Sequence, residues 1–316
     1  MGRHGNNTQA QEFLKACRRG QLDLVRAFLD AGVDIDVGMA NKGPRLWIFQ
    51  SESSLDASDP SPLYFAVDGG HVAVARLLLE SGADPNRCNT THGPTTPLCV
   101  AISRNSCAMV ELLLEFGADV DTRGEFGRTP LTSACRAFIA SAGLITPCKP
   151  ELVEILLDHG ASMLKGDPRT PLYHAVDGRK LRITRLLLER GAPVDLGCTD
   201  PTQFTPLYNS VRRTPDLDVT RLLLAHGASF DRVCREPDGS LLTPLSLVRK
   251  RLQETVGTQH WISERVLNEL FDSYLQHYWK LRVRLRVFGP ISEHLLDLHV
   301  ALFLIGDGIL NQRSSG

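Results

Sequence analysis

A phrase that reads Val-Ala-Arg-Leu-Leu-Leu-Glu-Ser-Gly-Ala-Asp-Pro-Asn at 74–86 returns in altered form at 110–121, 153–162, 183–195 and 219–230, and more loosely at 24–36. A shorter phrase runs ahead of each later copy: Ser61-Pro62-Leu63-Tyr64, Thr96-Pro97-Leu98, Thr129-Pro130-Leu131, Thr170-Pro171-Leu172-Tyr173 and Thr205-Pro206-Leu207-Tyr208. Its proline falls at 62, 97, 130, 171, 206 and 244, in steps of 33 to 41 residues. Two phrases locked together at a period in the thirties mark a tandem array of one supersecondary unit.

The residue types say what that unit is. A hydroxyl residue before proline suits a helix start, because the hydroxyl accepts from orphaned N–H groups and proline at the first helical position has no donor to waste. Each Ser/Thr-Pro therefore opens a short inner helix. In the longer phrase, Leu-Leu-Leu with a valine one turn earlier makes an apolar face, and the glycine of Gly-Ala takes the left-handed conformation that ends the helix. A turn and a projecting finger follow. One such hairpin cannot hide both of its faces and is stable only in a stack, so Leu78, Leu113 and Leu187 are read as core.

These residues resemble the ankyrin family, whose unit carries Thr-Pro-Leu-His, a small pair, Gly-His, Val-x-x-Leu-Leu-Leu and Gly-Ala-Asp; Gly70-His71 completes the pattern in the second copy. The resemblance covers roughly residues 10–250. It implies an all-α solenoid of about seven helix-pair units with a helical C-terminal cap. The expected organisation is an N-terminal tail at 1–10, an array at 11–255 and a cap with an unassigned tail at 256–316. At the family's His position this chain has Tyr64, Cys99, Thr132, Tyr173 and Tyr208, which the resemblance makes turn-bracing residues, as it does His71. Asn86 stands where some such repeats are hydroxylated.

The array breaks its own rule in three places. About 17 extra residues lie between the first two outer helices, mostly at 37–59, and include Trp47 and Phe49 beside Gly43-Pro44. They read as a recognition finger or as an apolar lid on the first repeat. A second insertion, at 140–150, separates the two helices of the fourth unit. After Thr243-Pro244-Leu245 no Gly-Ala follows; instead, apolar residues at helical spacing between 261 and 281 suit a cap that docks on the last repeat. Beyond it, Lys280-Leu281-Arg282-Val283-Arg284-Leu285-Arg286-Val287 alternates basic and apolar residues, as a half-exposed strand or a contact for an acidic partner would.

Composition narrows the function. Thirty-five basic and 36 acidic residues nearly cancel, which removes the attraction that nonspecific nucleic-acid or anionic-membrane binding needs. The one stretch of near-membrane length, 291–310, is interrupted by Glu293, His294, Asp297, His299 and Asp307. Eight scattered cysteines with no C-x-x-C pair read as small core fillers in a reducing compartment, not as a zinc or disulfide framework. With no apolar leader at 1–6, the expectation is an intracellular protein, cytoplasmic or nuclear, without a metal or cofactor and monomeric as an array.

In this architecture the variable positions of the inner helices line a concave groove. Counting from each Thr-Pro, they are Phe65 and Asp68, Val100 and Ser103, Ser133 and Arg136, His174 and Asp177, and Asn209 and Arg212, with Arg104 and Arg213 beside them. The candidate partner-binding set is Phe65, Asp68, Ser103, Arg104, Arg136, His174, Asp177, Asn209 and Arg212, a mixed-charge strip suited to a specific polar partner. His174 and Asp177, three apart on one helix, are the best pair for acid–base chemistry. No nucleophile elbow, H-E-x-x-H motif or phosphate loop accompanies them, so no catalytic residue is assigned. The expected function is a protein-binding adaptor or scaffold. Two alternatives stand beside it: a substrate-receptor subunit of a ubiquitin ligase using 256–316, and an unusual enzyme or pathway accessory holding a small molecule in the groove.

Overall fold

Six helix starts in this chain are built the same way. The hydroxyls of Ser61, Thr96, Thr129, Thr170, Thr205 and Thr243 accept from the backbone N–H three residues on, at Tyr64, Cys99, Thr132, Tyr173, Tyr208 and Ser246, over 3.1 to 3.4 Å. Proline follows each of them, so one orphaned donor is satisfied and another never exists. The computed structural model describes residues 3–36, 61–89, 95–124, 127–136, 138–139, 145–146, 149–164, 169–197, 204–212, 216–254, 265–266 and 268–276.

The helices come in hairpins. They are α1 (Arg3–Arg19) with α2 (Leu22–Asp30), α3 (Pro62–Asp68) with α4 (Val72–Glu80), α5 (Pro97–Ser103) with α6 (Cys107–Glu115), α7 (Pro130–Cys135) with α8 (Pro150–Asp158), α9 (Pro171–Asp177) with α10 (Leu181–Glu189), and α11 (Pro206–Arg212) with α12 (Leu217–Ala225). Then α13 (Pro244–Glu254) is followed by helical residues at 265–266 and 268–276. Every outer helix from α2 to α12 runs into a glycine with φ between +77° and +97°: Gly32, Gly82, Gly117, Gly160, Gly191 and Gly227. Only glycine adopts that conformation without a Cβ clash.

The chain forms two compact units, Met1–Asp167 and Pro168–Gly316, a boundary that the sequence reading did not place. In the first unit the inner helices stack in the order α1, α3, α5, α7 and the outer ones in the order α2, α4, α6, α8. In the second, α9 packs on α11 and α11 on α13, while α10 lies beside α12. Both are all-α stacks of helix pairs, the architecture that the resemblance implies. The leucine phrase forms the spine: Leu78, Leu113, Leu187 and Leu223 are all 0 % exposed.

Side chains in three of the fingers tie their repeat to the following one. Asn86 Oδ1 accepts from Asp119 N at 2.7 Å and its Nδ2 donates to Gly117 O at 3.1 Å. Asp121 Oδ1 accepts from Ser162 N at 2.9 Å, and Asp195 Oδ1 from Ser229 N at 2.8 Å. One position of the repeat thus supplies an acceptor to one backbone N–H of its successor, so the place read as a hydroxylation candidate is occupied with holding repeats together. Burial lifts the Asp195 carboxyl above the ordinary range, against the pull of the Ser229 N–H. His71 does the same work between the first two hairpins, its Nε2 lying 3.0 Å from Arg18 O. A Cβ on Gly20 or Gly69 would come within 2.7 Å of that ring.

Several expectations need adjustment. Helix α1 begins at Arg3, so most of the stretch read as a tail at 1–10 is helical. Of the insertion at 140–150, the described residues are 145–146, which form β2 (Ile145–Thr146) paired antiparallel with β1 (Phe138–Ile139), Phe138 opposite Thr146, and 149–150, where α8 begins. Of the helix expected over 261–281, the described part ends at 276; its Phe271 is 0 % exposed and its Tyr274 ring meets the Phe230 ring edge-on at 5.7 Å. The insertion at 37–59 with Trp47 and Phe49, Arg213, the alternating segment 280–287 and the stretch 291–310 lie outside the described residues. Among the described residues no helix is long and apolar enough to cross a membrane, and Cys17, Cys99 and Cys107 are free thiols. Burial pushes the Cys17 thiol up to about 12 and raises those of Cys99 and Cys234, as expected of packing groups.

Two substitutions test this spine. Leu113→Ala should cost about 2–5 kcal/mol in urea unfolding. Asn86→Ala, which removes two repeat-to-repeat hydrogen bonds, should cost about 1–2 kcal/mol, and Asn86→Asp less than that because the acceptor remains.

Candidate functional site

The inner helices are short because each ends where the chain must turn to the outer helix, and their last turn carries the variable polar residues. In the first unit Phe65 and Asp68 stand on α3, Ser103 on α5, and Arg104 and Arg136 at the C-caps of α5 and α7. Arg104 Nη2 donates to Asp68 Oδ1 at 2.6 Å across adjacent repeats. Phe65 is half-buried with the Tyr64 ring edge-on to it at 6.0 Å, and Arg136 is exposed. Ser103 turns its hydroxyl back to Val100 O at 2.8 Å. The structure therefore joins Asp68 with Arg104 and sets Phe65 in the same row.

The second unit uses the corresponding positions differently. His174 is 6 % exposed and Asn209 8 %. Asn209 Nδ2 donates to Asp177 Oδ1 at 3.1 Å, and the His174 ring meets that of Tyr173 edge-on at 6.2 Å. An imidazole so deeply covered is not presented to a substrate in an open groove, which removes the geometric basis for the His174–Asp177 acid–base pair.

Arg212 is committed within its own unit. Its Nε stands 2.9 and 3.2 Å from Glu236 Oε1 and Oε2, and its Nη2 3.0 Å from Oε2. Tyr208 Oη donates to the same carboxylate at 2.6 Å, the Arg212 guanidinium lies 4.6 Å over the Phe204 ring, and Phe204 stacks on Tyr208 at 5.2 Å. Glu236 reaches this place from a hairpin formed by β3 (Cys234–Arg235) and β4 (Leu241–Leu242), whose turn closes with Glu236 N donating to Ser240 O at 2.9 Å. Arg251 Nη1 on α13 donates to Val211 O and Arg212 O at 2.6 and 2.8 Å, which satisfies carbonyls at the end of α11.

The charges follow from these contacts. The Arg212 hydrogen bonds hold the Glu236 carboxyl below its ordinary value of 4.5, against burial and with help from Tyr208. Burial foremost, then the Glu236 carboxylate, pushes the Tyr208 phenol up, so it remains a donor. Sequence reasoning placed Arg212 in the open groove and missed Glu236 and Phe204. The legible signal was Pro237-Asp238-Gly239, a turn sequence that marks a hairpin in the step from Pro206 to Pro244. Among the described residues no group of His, Cys, Asp and Glu could hold a metal ion. What the arrangement offers is a polar surface for binding.

The model for ankyrin repeats (3 copies) matches residues 63–145 and 138–234. Among solved structures, the chain is similar to the human ASB11 ankyrin repeat domain at 30% identity and a TM-score of 0.53, over 74% of this chain and 90% of that one. It is also similar to the ankyrin repeat domain of Bcl-3, a member of the IkappaB protein family, at 25% identity and a TM-score of 0.56, over 74% of this chain and 92% of that one. Comparison with curated protein sequences gave no match.

The Glu236 carboxylate sets a pH dependence. Its folded value lies below its unfolded one, so its contribution is present above about pH 4.5 and is lost as pH falls through the folded value. Urea unfolding between pH 7 and about pH 3 should show a steeper loss of stability in the parent chain than in Glu236→Gln. Parallel profiles would mean that the Arg212–Glu236 pair contributes nothing.

Proposed function

This chain belongs to the ankyrin-repeat family, and on that premise we propose that it is an adaptor or scaffold that grips a partner protein through the inner face of its first unit. The observation that carries the reading is the row formed by Phe65, Asp68, Arg104 and Arg136. It pairs a half-buried aromatic ring with an ion pair of 2.6 Å and a further exposed guanidinium, all on consecutive inner helices. Aromatic and arginine side chains together are what interface hot spots are made of. The Asp68–Arg104 pair is half open to water, so a partner can exchange its own groups for it at little cost. Ser103 belongs to the rim of this surface.

In the second unit Asp177 is taken up by Asn209, His174 is buried and Arg212 is held by Glu236, so those positions serve the fold. On this reading the chain acts by binding. Its helix ends and fingers are held by hydrogen bonds and glycine turns, so little ordering is left to be done when a partner arrives.

Affinity capture from a cell extract with the parent chain and with Phe65→Ala/Arg104→Glu tests the reading. Partners held by the parent should be lost from this variant and kept by Arg26→Glu, which alters an outer helix; thermal unfolding should confirm that both variants fold. Identical partner sets for all three proteins would overturn the assignment of the inner face. Arg212→Glu is unsuitable for this purpose, because it opposes Glu236 and should lower the unfolding temperature.

A further inference from the structure

The second unit concentrates positive charge on and around its outer helices. From Arg179 to Arg190 the chain carries Arg179, Lys180, Arg182, Arg185 and Arg190 against the single acid Glu189. Arg182 and Arg185 are three apart on α10, hence on one face, and both are exposed. Helix α12 lies beside α10, and Arg221 is the fifth of its nine residues just as Arg185 is the fifth of nine in α10, so the two arginines stand side by side in consecutive repeats. Axes of packed helices are roughly 8–10 Å apart, close enough for one extended segment to touch both.

Among the described residues Arg182, Arg185 and Arg221 have no carboxylate within the 4.0 Å of an ion pair, although Glu189 and Asp218 share their helices. The first unit is composed otherwise. At the same fifth position it has Arg26, Arg76, Glu111 and Glu154, and Arg76 lies 3.8 Å from Glu115. Three neighbouring guanidinium groups repel one another. A guanidinium fork is suited to a carboxylate, which it meets with two parallel hydrogen bonds.

We propose that the outer face of α10 and α12, through Arg182, Arg185 and Arg221, docks an acidic peptide segment whose Asp and Glu side chains pair with these arginines. The site is separate from the inner face proposed above and binds whether or not that assignment holds. Charge complementarity selects the occupant. The chain as a whole is nearly neutral, with a formal net charge of −1, so attraction for polyanions in general is weak and the local excess decides.

Fluorescence anisotropy with a labelled peptide of alternating Glu, Asp and Ser residues, read against the full chain, tests this. The triple variant Arg182→Glu/Arg185→Glu/Arg221→Glu should weaken binding by about tenfold or more. The control Arg26→Glu/Arg76→Glu/Arg123→Glu, with the same change of net charge, should weaken it by no more than about twofold. If the glutamate triple fails to fold, the milder triple to Gln should still reduce binding in that order. No binding by the parent, equal losses in both triples, or tighter binding of an oligouridylate of equal charge would each overturn the proposal. Phe65→Ala/Arg104→Glu should leave the peptide affinity unchanged, which separates failure here from failure of the inner-face reading.

Discussion

A hairpin of two short helices has one face too many. The leucines of each outer helix and the small residues of each inner helix are apolar, yet a single pair has only itself to bury them against, so the unit is stable only with a neighbour on its open side. Everything else in this protein is arranged around that requirement. Leu113 on α6 is completely buried where α6 meets α4 and α8, and apolar area removed from water contributes about 25 cal/mol per Å². Because that force has no direction, register needs a second device. It comes from the acceptors of Asn86, Asp121 and Asp195, each on a backbone N–H of the following repeat.

The polar groups left over after stacking divide into those spent inside the fold and those presented to solvent. Arg212 shows the first case. Its guanidinium is satisfied by Glu236, covered on one side by Phe204, and its own carbonyl is taken by Arg251. A partly buried arginine without its carboxylate would be costly, since an unpaired charge loses its hydration with nothing in return. Arg104 shows the second, being paired to Asp68 at a site where water reaches both groups, so the contact is weak and exchangeable. The same residue type at neighbouring positions of the repeat therefore plays opposite parts, according to whether a hairpin from the next repeat covers it.

This division decides which groups stay open to solvent. In the second unit the inner face is largely closed by its own contacts, with His174 and Asn209 buried, while exposed arginines crowd the outer helices. In the first unit the inner face keeps a half-buried aromatic ring beside exposed arginines. The glycines at left-handed positions end the outer helices and so fix how far each of them runs.

Periodicity carried most of the fold in the primary structure. Ser/Thr-Pro announced every inner helix from α3 to α13, Gly-Ala every outer helix end from α4 to α12, and the leucine run the core, because helix starts, stops and apolar faces depend on neighbours within about one turn of chain. The candidate site was legible only as a set of positions. That Phe65, Asp68 and Arg104 share a row followed from the repeat. That Asp177 would be taken by Asn209, Arg212 by Glu236 and His174 by burial did not, since each depends on which residue of another repeat arrives beside it. The chain's own residues thus settled the helices and their order. Only tertiary structure decided which of its charges remain outside, because a side chain's freedom is set by what is packed over it and not by the residues next to it in sequence.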